Sequence, residues 1–250
     1  MIEMFDPRRK KPGGCASPLL RELCDRFRED PSELDRIGDV DLYAEIVFSG
    51  SALHDPNGPP DPGEQVEASV AGKVAQRLQR GWFTMEGLPC PQARYSASLA
   101  LPKFRLWDPE DWVGMASKPH AAFWTSSFLP DGTTAWDWAE SKLAKWQQRK
   151  RYRSSTRTLP SYTRSIRLED YLRLVHAFPV QTSDGRVNVD WRGVVGSLDA
   201  VHLSAGGLLY AEGVASEVQG APTTLSGWEA ESTAWLRIPA GAVLRADARD

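Results

Sequence analysis

Residues 199–204 read Asp-Ala-Val-His-Leu-Ser, and residues 232–239 read Ser-Thr-Ala-Trp-Leu-Arg-Ile-Pro. Both are short runs rich in side chains that favour strands, which is typical of a sheet built from many short strands. Working outward from them, further runs of this kind occupy residues 98–102, 103–107, 121–128, 207–214 and 242–247. The sequence therefore predicts a sheet-containing domain that begins near Ala93.

Helical patterns interrupt these predicted strands at three places. They cover about 134–150, 168–178 and 190–198, and the first has Thr134 as its N-cap and Asp137 three residues later. Strands and helices mix without regular β-α-β alternation, so we predict an α+β domain over residues 93–250 rather than a doubly wound parallel sheet.

The part of the chain before Ala93 has a helical character. Ser17 followed by Pro18 is a typical helix start, and apolar residues then recur at helical spacing. Val66, Val70 and Val74 predict a second helix by the same spacing, whereas residues 39–48 fit either a helix or a strand. We predict a flexible leader over residues 1–16 and a helical N-terminal region over residues 17–92.

Composition places the chain among soluble globular proteins. It has 250 residues, of which 41% are hydrophobic and 25% charged, and its apolar runs are too short to span a membrane. The cysteines are Cys15, Cys24 and Cys90, an odd number without a Cys-x-x-Cys pair, which disfavours a disulfide framework. We therefore predict a cytoplasmic protein without membrane contact.

Charge is distributed unevenly, although the net charge is only −3. Residues 29–67 contain eleven acidic residues and a single base, whereas residues 142–167 contain nine Lys or Arg and no acid. Such asymmetry indicates either a surface that faces a polyanion or two oppositely charged regions that pack together, and solvated surfaces without a partner are an equal alternative.

Common catalytic and metal-binding motifs are absent from the sequence. It contains no phosphate-binding Gly-x-x-x-x-Gly-Lys loop, no Gly-x-Gly-x-x-Gly, no Gly-x-Ser-x-Gly and no His-Glu-x-x-His. The four histidines are isolated, so no metal site is expected, and His202 within an apolar run is expected to be a core residue.

Three segments do combine chemically useful side chains. Arg105 lies in the short apolar run 103–107, the hydroxyls of residues 125–127 end the run that begins at Lys118, and Glu231 lies where the run from Ser232 starts. An arginine, a cluster of hydroxyls and a glutamate are thereby expected on three strands of one α+β domain.

These segments resemble the ADP-ribosyltransferase superfamily, in particular a bacterial and phage branch with motifs of the form KPxGGLWTS, DAVHLT and GWDxEST. The corresponding stretches here are KPHAAFWTSS, DAVHLS and GWEAEST, and the resemblance covers about residues 100–245. Ala121 and Ala122 replace two glycines of the branch, and Glu229 replaces its aspartate. The resemblance implies a split, mostly antiparallel sheet with a cleft, and NAD as the substrate.

The resemblance also implies roles for individual residues. Glu231 would stabilise the positive charge that develops on the ribose when the bond to nicotinamide breaks, as carboxylates do in glycoside hydrolysis. Arg105 would bind the diphosphate, and the hydroxyls of Thr125, Ser126 and Ser127 would orient the ribose. The indoles that would stack on nicotinamide are Trp107 and Trp124.

Alternatives stand beside these roles. Glu229 competes with Glu231 as the catalytic carboxylate, because the two are expected on the same face of one strand. Arg105 has the alternative of a surface ion pair, and the tryptophans have the alternative of core packing. The acceptor of ADP-ribose also stays open between protein, nucleic acid, a small molecule and water, and water would make the protein an NAD glycohydrolase.

A second function class is a binding module without catalysis. Residues 142–167 interleave cations with Trp146, Tyr152 and Tyr162, which is typical of proteins that bind single-stranded nucleic acid. The cations expected to contact a polyanion are Lys145, Arg149, Lys150, Arg151, Arg153 and Arg157.

Overall fold

The structure of the protein is a computed structural model. It describes residues 16–50, 53, 66–85, 88–98, 101, 117–119, 122–137, 150–155, 162–163, 167–238 and 241–247. The described residues do not include five residues of the predicted sites, namely Arg105, Trp107, Lys145, Arg149 and Arg157. Of the predicted leader they include only residue 16.

Helices dominate the described part of the N-terminal region. They are α1 (Pro18–Arg26), α2 (Glu33–Arg36), α3 (Asp39–Ser49), α4 (Ala68–Arg77) and a short 3-10 helix at Gly81–Thr84. The Ser17 side chain accepts a hydrogen bond from the backbone nitrogen of Leu20 at 3.0 Å, so the predicted cap is confirmed. Residues 39–48, which fitted two structures, are helical.

Strands and three further helices make up the described part of the C-terminal region. In chain order these are β1 (Gln92–Ser96), β2 (Phe123–Thr125), β3 (Lys150–Ser155), β4 (Tyr162–Thr163), α5 (Leu168–Ala177), β5 (Pro179–Gln181), β6 (Val187–Val189), α6 (Trp191–Val195), β7 (Ala200–Leu203), α7 (Ala205–Ala211), β8 (Ser216–Val218), β9 (Ala221–Thr223), β10 (Ser232–Trp235) and β11 (Val243–Ala246). The predicted α+β class is confirmed, with small sheets that are mostly antiparallel.

Two of these sheets adjoin each other. One has the order β1-β3-β11, and the other has the order β2-β10-β7-β4, in which only the β4–β7 pair is parallel. Ala93 of β1 and Ser126, directly after β2, exchange two backbone hydrogen bonds of 2.8 and 3.0 Å. The ends of β1 and β2 are therefore fixed to each other, although they belong to different sheets.

The hydrophobic core is shared between the N-terminal helices and the sheet region. Buried side chains of α1, α3 and α4 belong to the same cluster as those of α5, α7 and one face of the β2-β10-β7 sheet. A smaller cluster of Phe123, Ala200 and Trp235 lies on the other face of that sheet. The face of the sheet that carries this smaller cluster can therefore also accommodate polar side chains.

One predicted strand is wrong. Residues 207–214 were expected to form a strand, but α7 covers Ala205–Ala211. The Ser204 side chain caps this helix by accepting from the backbone nitrogen of Gly207 at 3.0 Å. Leu208 and Leu209, three and four residues after the buried Ala205, then lie on one helix face, whereas a strand would have divided the two leucines between its two faces.

The expected packing of the acidic region against the basic one is not found among the described ion pairs. Asp35 and Asp39 pair with Lys73, Arg77 and Arg80 of the N-terminal region itself. The cations of β3 instead pair with acids of the C-terminal region, as described below. Lys150, the last residue of the helix predicted over 134–150, lies instead at the start of β3, and residues 138–149 lie outside the described residues.

Candidate functional site

Glu231 is buried at the point where the two sheets adjoin. Its side chain accepts two hydrogen bonds from Ser127, one from the backbone nitrogen at 2.8 Å and one from Oγ at 2.6 Å. The residue is 1% exposed, and this burial raises the pKa of its carboxyl to about 7, although both bonds from Ser127 act in the opposite direction. The segment 125–127, here called the hydroxyl segment, and Glu231 were both predicted from the sequence and are thus in direct contact.

Glu229 does not share a strand face with Glu231, because β10 begins only at Ser232. Glu229 lies in the preceding turn with a positive φ of 63° and an exposed side chain. The expectation that both carboxylates lie on one strand face is therefore wrong, and only Glu231 contacts the hydroxyl segment among the bonds described for the two residues.

Another buried carboxylate, that of Glu212, holds the turn before Glu231. It accepts from the backbone nitrogen of Trp228 at 2.9 Å and from that of Glu229 at 3.2 and 3.3 Å. Burial raises the pKa of Glu212 to about 7, while these backbone bonds lower it. Sequence reasoning missed Glu212, which lies at the end of the segment that was mistaken for a strand.

His202 lies beside Glu231 on the adjacent strand β7. Its Nδ1 is 3.4 Å from Glu231 Oε1 and 3.0 Å from Thr233 Oγ1. Burial lowers the pKa of His202 to about 4, so the imidazole is neutral at pH 7 and the contact with Glu231 is not an ion pair. The prediction that His202 is a core histidine with satisfied hydrogen bonds is confirmed.

A network of buried polar side chains continues from His202 across the sheet. Thr233 accepts from Gln92 Nε2 at 2.8 Å, Gln92 Oε1 accepts from Thr125, and Thr125 Oγ1 accepts from Trp235 Nε1 at 2.8 Å. Thr125 therefore serves the network rather than facing solvent. Because every one of these groups is paired, the network holds β1, β2 and β10 in register.

The hydroxyls of the predicted site have different surroundings. Ser126 is buried, and its Oγ lacks a hydrogen-bond partner within the described part of the chain.

Trp124 lies next to Ala234 of β10 and packs edge-to-face on Trp228 with ring centroids 5.0 Å apart. Trp124 thus belongs to the larger core, on the side of the sheet away from Thr125.

Three described cations of the basic segment lie on β3 and differ in exposure, while Arg167 caps the start of α5. Lys150 is exposed, whereas the side chain of Arg151 is 11% exposed and contacts both Asp137 and Asp247. Arg153 also contacts Asp247, at 3.0 Å, and its side chain is 41% exposed. Arg151 is therefore a structural cation, while Lys150 and Arg153 remain accessible.

Tyr43 and Arg94 are two further residues at the site that sequence reasoning missed. Tyr43 of α3 contacts the backbone of Glu231, and Arg94 of β1 donates to the carbonyl oxygen of Trp124 at 2.9 Å. The Arg94 guanidinium also lies 4.9 Å from the centre of the Phe123 ring. Arg94 directly follows Ala93, which bonds to Ser126, so it lies at the junction of the sheets.

Among the residues that the structure describes, no group of three or more His, Cys, Asp or Glu side chains is arranged to hold a metal ion. Within the same residues, every helix is too short or too polar to cross a membrane. No protein-family model, curated protein or solved structure matches the chain.

Proposed function

We propose that the protein cleaves the nicotinamide–ribose bond of NAD and transfers ADP-ribose to an acceptor, as an ADP-ribosyltransferase with a split antiparallel sheet. The observation that carries this proposal is the contact between Ser127 and the buried carboxylate of Glu231. A carboxylate fixed by two donors in a dry site is preorganised for a developing cation, since it needs no reorganisation during the reaction.

The chemistry assigns separate tasks to the residues. Glu231 stabilises the positive charge on the ribose in its ionised form, and the Ser127 hydroxyl and amide keep the carboxylate aimed in one direction. The Ser126 hydroxyl, which has no partner among the described residues, is a group that a substrate hydroxyl would satisfy. Arg105 supplies the cation for the diphosphate, as the resemblance implies. Because Glu231 is 1% exposed, substrate entry requires a local opening around its carboxylate.

Incubation with NAD labelled in its adenylate part tests the proposal. Released nicotinamide is measured, and the label is followed separately in the protein and nucleic-acid fractions of a lysate and in free ADP-ribose. Glu231→Gln keeps the shape of the side chain and removes its charge, so we expect nicotinamide release to fall by about 10²–10³-fold. NAD affinity is expected to change much less, because the cation exists only during bond cleavage.

Glu229→Gln is the matched variant, since it makes the same chemical change two residues away. If Glu229→Gln is the inactive protein and Glu231→Gln retains turnover, the carboxylate has been assigned wrongly. If the unaltered protein releases no nicotinamide and binds no NAD, the proposed function is wrong.

A second candidate function is polyanion binding, with nucleic acid as the partner. Arg245 of β11 lies directly opposite Arg153 of β3 in the sheet register and is exposed, as is Lys150. Arg245 therefore extends the basic segment 142–167, to which Lys150 and Arg153 belong, onto the neighbouring strand β11. The sequence did not group β11 with this segment. Steeply salt-dependent affinity for an oligonucleotide without NAD turnover would favour this function.

A further inference from the structure

Tyr43 connects the N-terminal helical region to the backbone of the candidate catalytic carboxylate. Its hydroxyl accepts a hydrogen bond from the backbone nitrogen of Glu231 at 3.1 Å and donates one to the carbonyl oxygen of Ala135 at 3.0 Å. The ring is buried and packs edge-to-face on Trp82 with centroids 5.3 Å apart. The phenol is thus fixed both at its oxygen and along its ring.

These bonds belong to a closed ring of four residues. Ser127 donates to the Glu231 carboxylate, and Ala135 donates from its backbone nitrogen to the Ser127 carbonyl at 3.1 Å. Tyr43 then joins Ala135 to Glu231 and closes the ring. Each member is held by two neighbours, so moving one of them strains bonds to both.

Side chains fix the Glu231 peptide on both sides. Its nitrogen donates to Tyr43, and its carbonyl oxygen accepts from Trp136 Nε1 at 3.0 Å. Glu231 precedes the first residue of β10, so Tyr43 supplies a partner at the edge of the strand ladder. Burial raises the pKa of Tyr43 well above its usual 10, so its hydroxyl keeps the proton that it donates to Ala135.

We propose that Tyr43 is a positioning residue for the reaction, holding the Glu231 backbone so that its carboxylate meets both Ser127 donors. The inference rests on the proposed function and adds a part of the chain to it. The helical N-terminal region then contributes directly to turnover through one hydroxyl.

Tyr43→Phe tests the role, with Tyr171→Phe as the matched control. Tyr171 is also a buried tyrosine, and its hydroxyl contacts Thr223 Oγ1 at 2.7 Å and the Thr224 carbonyl oxygen at 3.1 Å, neither of which belongs to the ring of bonds around Glu231. We expect Tyr43→Phe to lower kcat for nicotinamide release by about 10- to 100-fold, because small displacements of a catalytic group are that costly. NAD affinity should change by less than about threefold, and Tyr171→Phe should leave kcat unchanged.

Hydrogen exchange of the Glu231 amide, measured by NMR, provides a readout that does not depend on NAD. Faster exchange in Tyr43→Phe, normal exchange in Tyr171→Phe and the loss of kcat together support the role. If the unaltered protein is active and Tyr43→Phe keeps kcat within about twofold, the positioning role is overturned while the proposed function stands. If the unaltered protein does not cleave NAD, both are overturned.

Trp82→Phe keeps the Tyr43 hydroxyl and weakens the contact that orients its ring, so it remains informative if Tyr43→Phe fails to fold. The change also removes the hydrogen bond from Trp82 Nε1 to the Phe128 carbonyl oxygen, so kcat is read together with the exchange of the Glu231 amide. A loss of kcat of about two- to fivefold at unchanged NAD affinity, with faster exchange at Glu231, supports the role. Full activity of Trp82→Phe, with an unchanged exchange rate at Glu231, counts against it.

Discussion

The hydroxyl of Ser127 lies 2.6 Å from the Glu231 carboxylate, and the backbone nitrogen of the same residue lies 2.8 Å from it. One residue therefore supplies both described donors to a carboxyl whose pKa is raised by burial to about 7. The side-chain and backbone bonds from Ser127 therefore oppose the effect of burial on the pKa of Glu231. Because this carboxyl is buried in the core, its pKa affects both the pH dependence of turnover and the free energy of unfolding.

Ser127→Ala should move the pH dependence of turnover to higher pH. The Ser127 hydroxyl bond lowers the pKa of Glu231, so its removal raises that pKa further above the usual value. The ionised carboxylate is the active form, and at pH 7 we expect a loss of about three- to tenfold that is partly recovered at higher pH. Nicotinamide release measured across pH 6 to 9 checks this expectation, and a profile that keeps its midpoint would contradict it.

Ser126→Ala is the adjacent comparison for stability. The Ser126 hydroxyl is buried without a described partner, so removing it should leave the free energy of unfolding unchanged or raise it by up to about 1 kcal/mol. Ser127→Ala leaves a buried carboxylate with one donor fewer and should lower that free energy by about 1–3 kcal/mol. Urea denaturation of both variants distinguishes them.

Both partners of the contact between Ser127 and Glu231 were predicted from the sequence, because a hydroxyl-ended strand and a glutamate before another strand are local patterns, and the resemblance assigned them to one site. The contributions of Tyr43 and Glu212 were not. Each acts through a hydrogen bond to backbone from a distant part of the chain, and no spacing rule encodes such a bond. α7 was missed because Leu and Tyr in its sequence fit a strand, while the Ser204 cap alone indicates a helix.

Stability should decrease as the pH rises from about 4.5 to about 6.5. The pKa values of Glu231 and Glu212 rise from 4.5 to about 7 on folding, so in this range the folded protein binds two protons that the unfolded chain has lost. The pKa of His202 falls from 6.5 to about 4, so the unfolded chain binds one proton that the folded protein lacks. The difference is one proton, which corresponds to a loss of about 1.4 kcal/mol per pH unit.

Glu212→Gln should flatten this dependence. The amide oxygen still accepts from the backbone of Trp228 and Glu229, but the group no longer titrates. The opposite contributions of Glu231 and His202 then cancel over most of the range. Unfolding free energies from urea denaturation between pH 4.5 and pH 7 check the slope, and a Glu212→Gln protein with the original slope would show that another group causes it.

Arg105→Ala and Arg94→Ala should affect different properties. Arg105 is the arginine that the resemblance assigns to the diphosphate, and losing a charge-assisted pair should raise the Kd for NAD by about tenfold or more. Arg94 bonds to the Trp124 carbonyl and stacks on Phe123, so its removal should mainly lower stability. NAD titration by calorimetry and thermal unfolding measure the two effects, and a raised Kd only in Arg94→Ala would assign the diphosphate to Arg94.

Arg151→Ala should destabilise the fold and leave polyanion affinity largely intact. Arg151 is mostly buried, and its partner Asp247 has a side chain that is only 1% exposed, so the variant leaves a buried carboxylate with Arg153 as its remaining described cation. We expect a loss of about 2–4 kcal/mol in the free energy of unfolding. The variant compared with it replaces Lys145, Arg149 and Arg157 together with Ala, three other cations of the basic segment 142–167.

Arg151→Ala and the triple variant also differ in the expected salt dependence of their affinity for nucleic acid. If Lys145, Arg149 and Arg157 contact phosphates, the triple variant should reduce the slope of log affinity against log salt by about 2, since each lost contact to a single strand contributes about 0.7. Fluorescence anisotropy with a labelled oligonucleotide at several salt concentrations measures that slope. The opposite result is a reduced slope in Arg151→Ala and an unchanged slope in the triple variant. It would show that the polyanion surface lies on β3, the strand that contains Arg151, rather than at Lys145, Arg149 and Arg157.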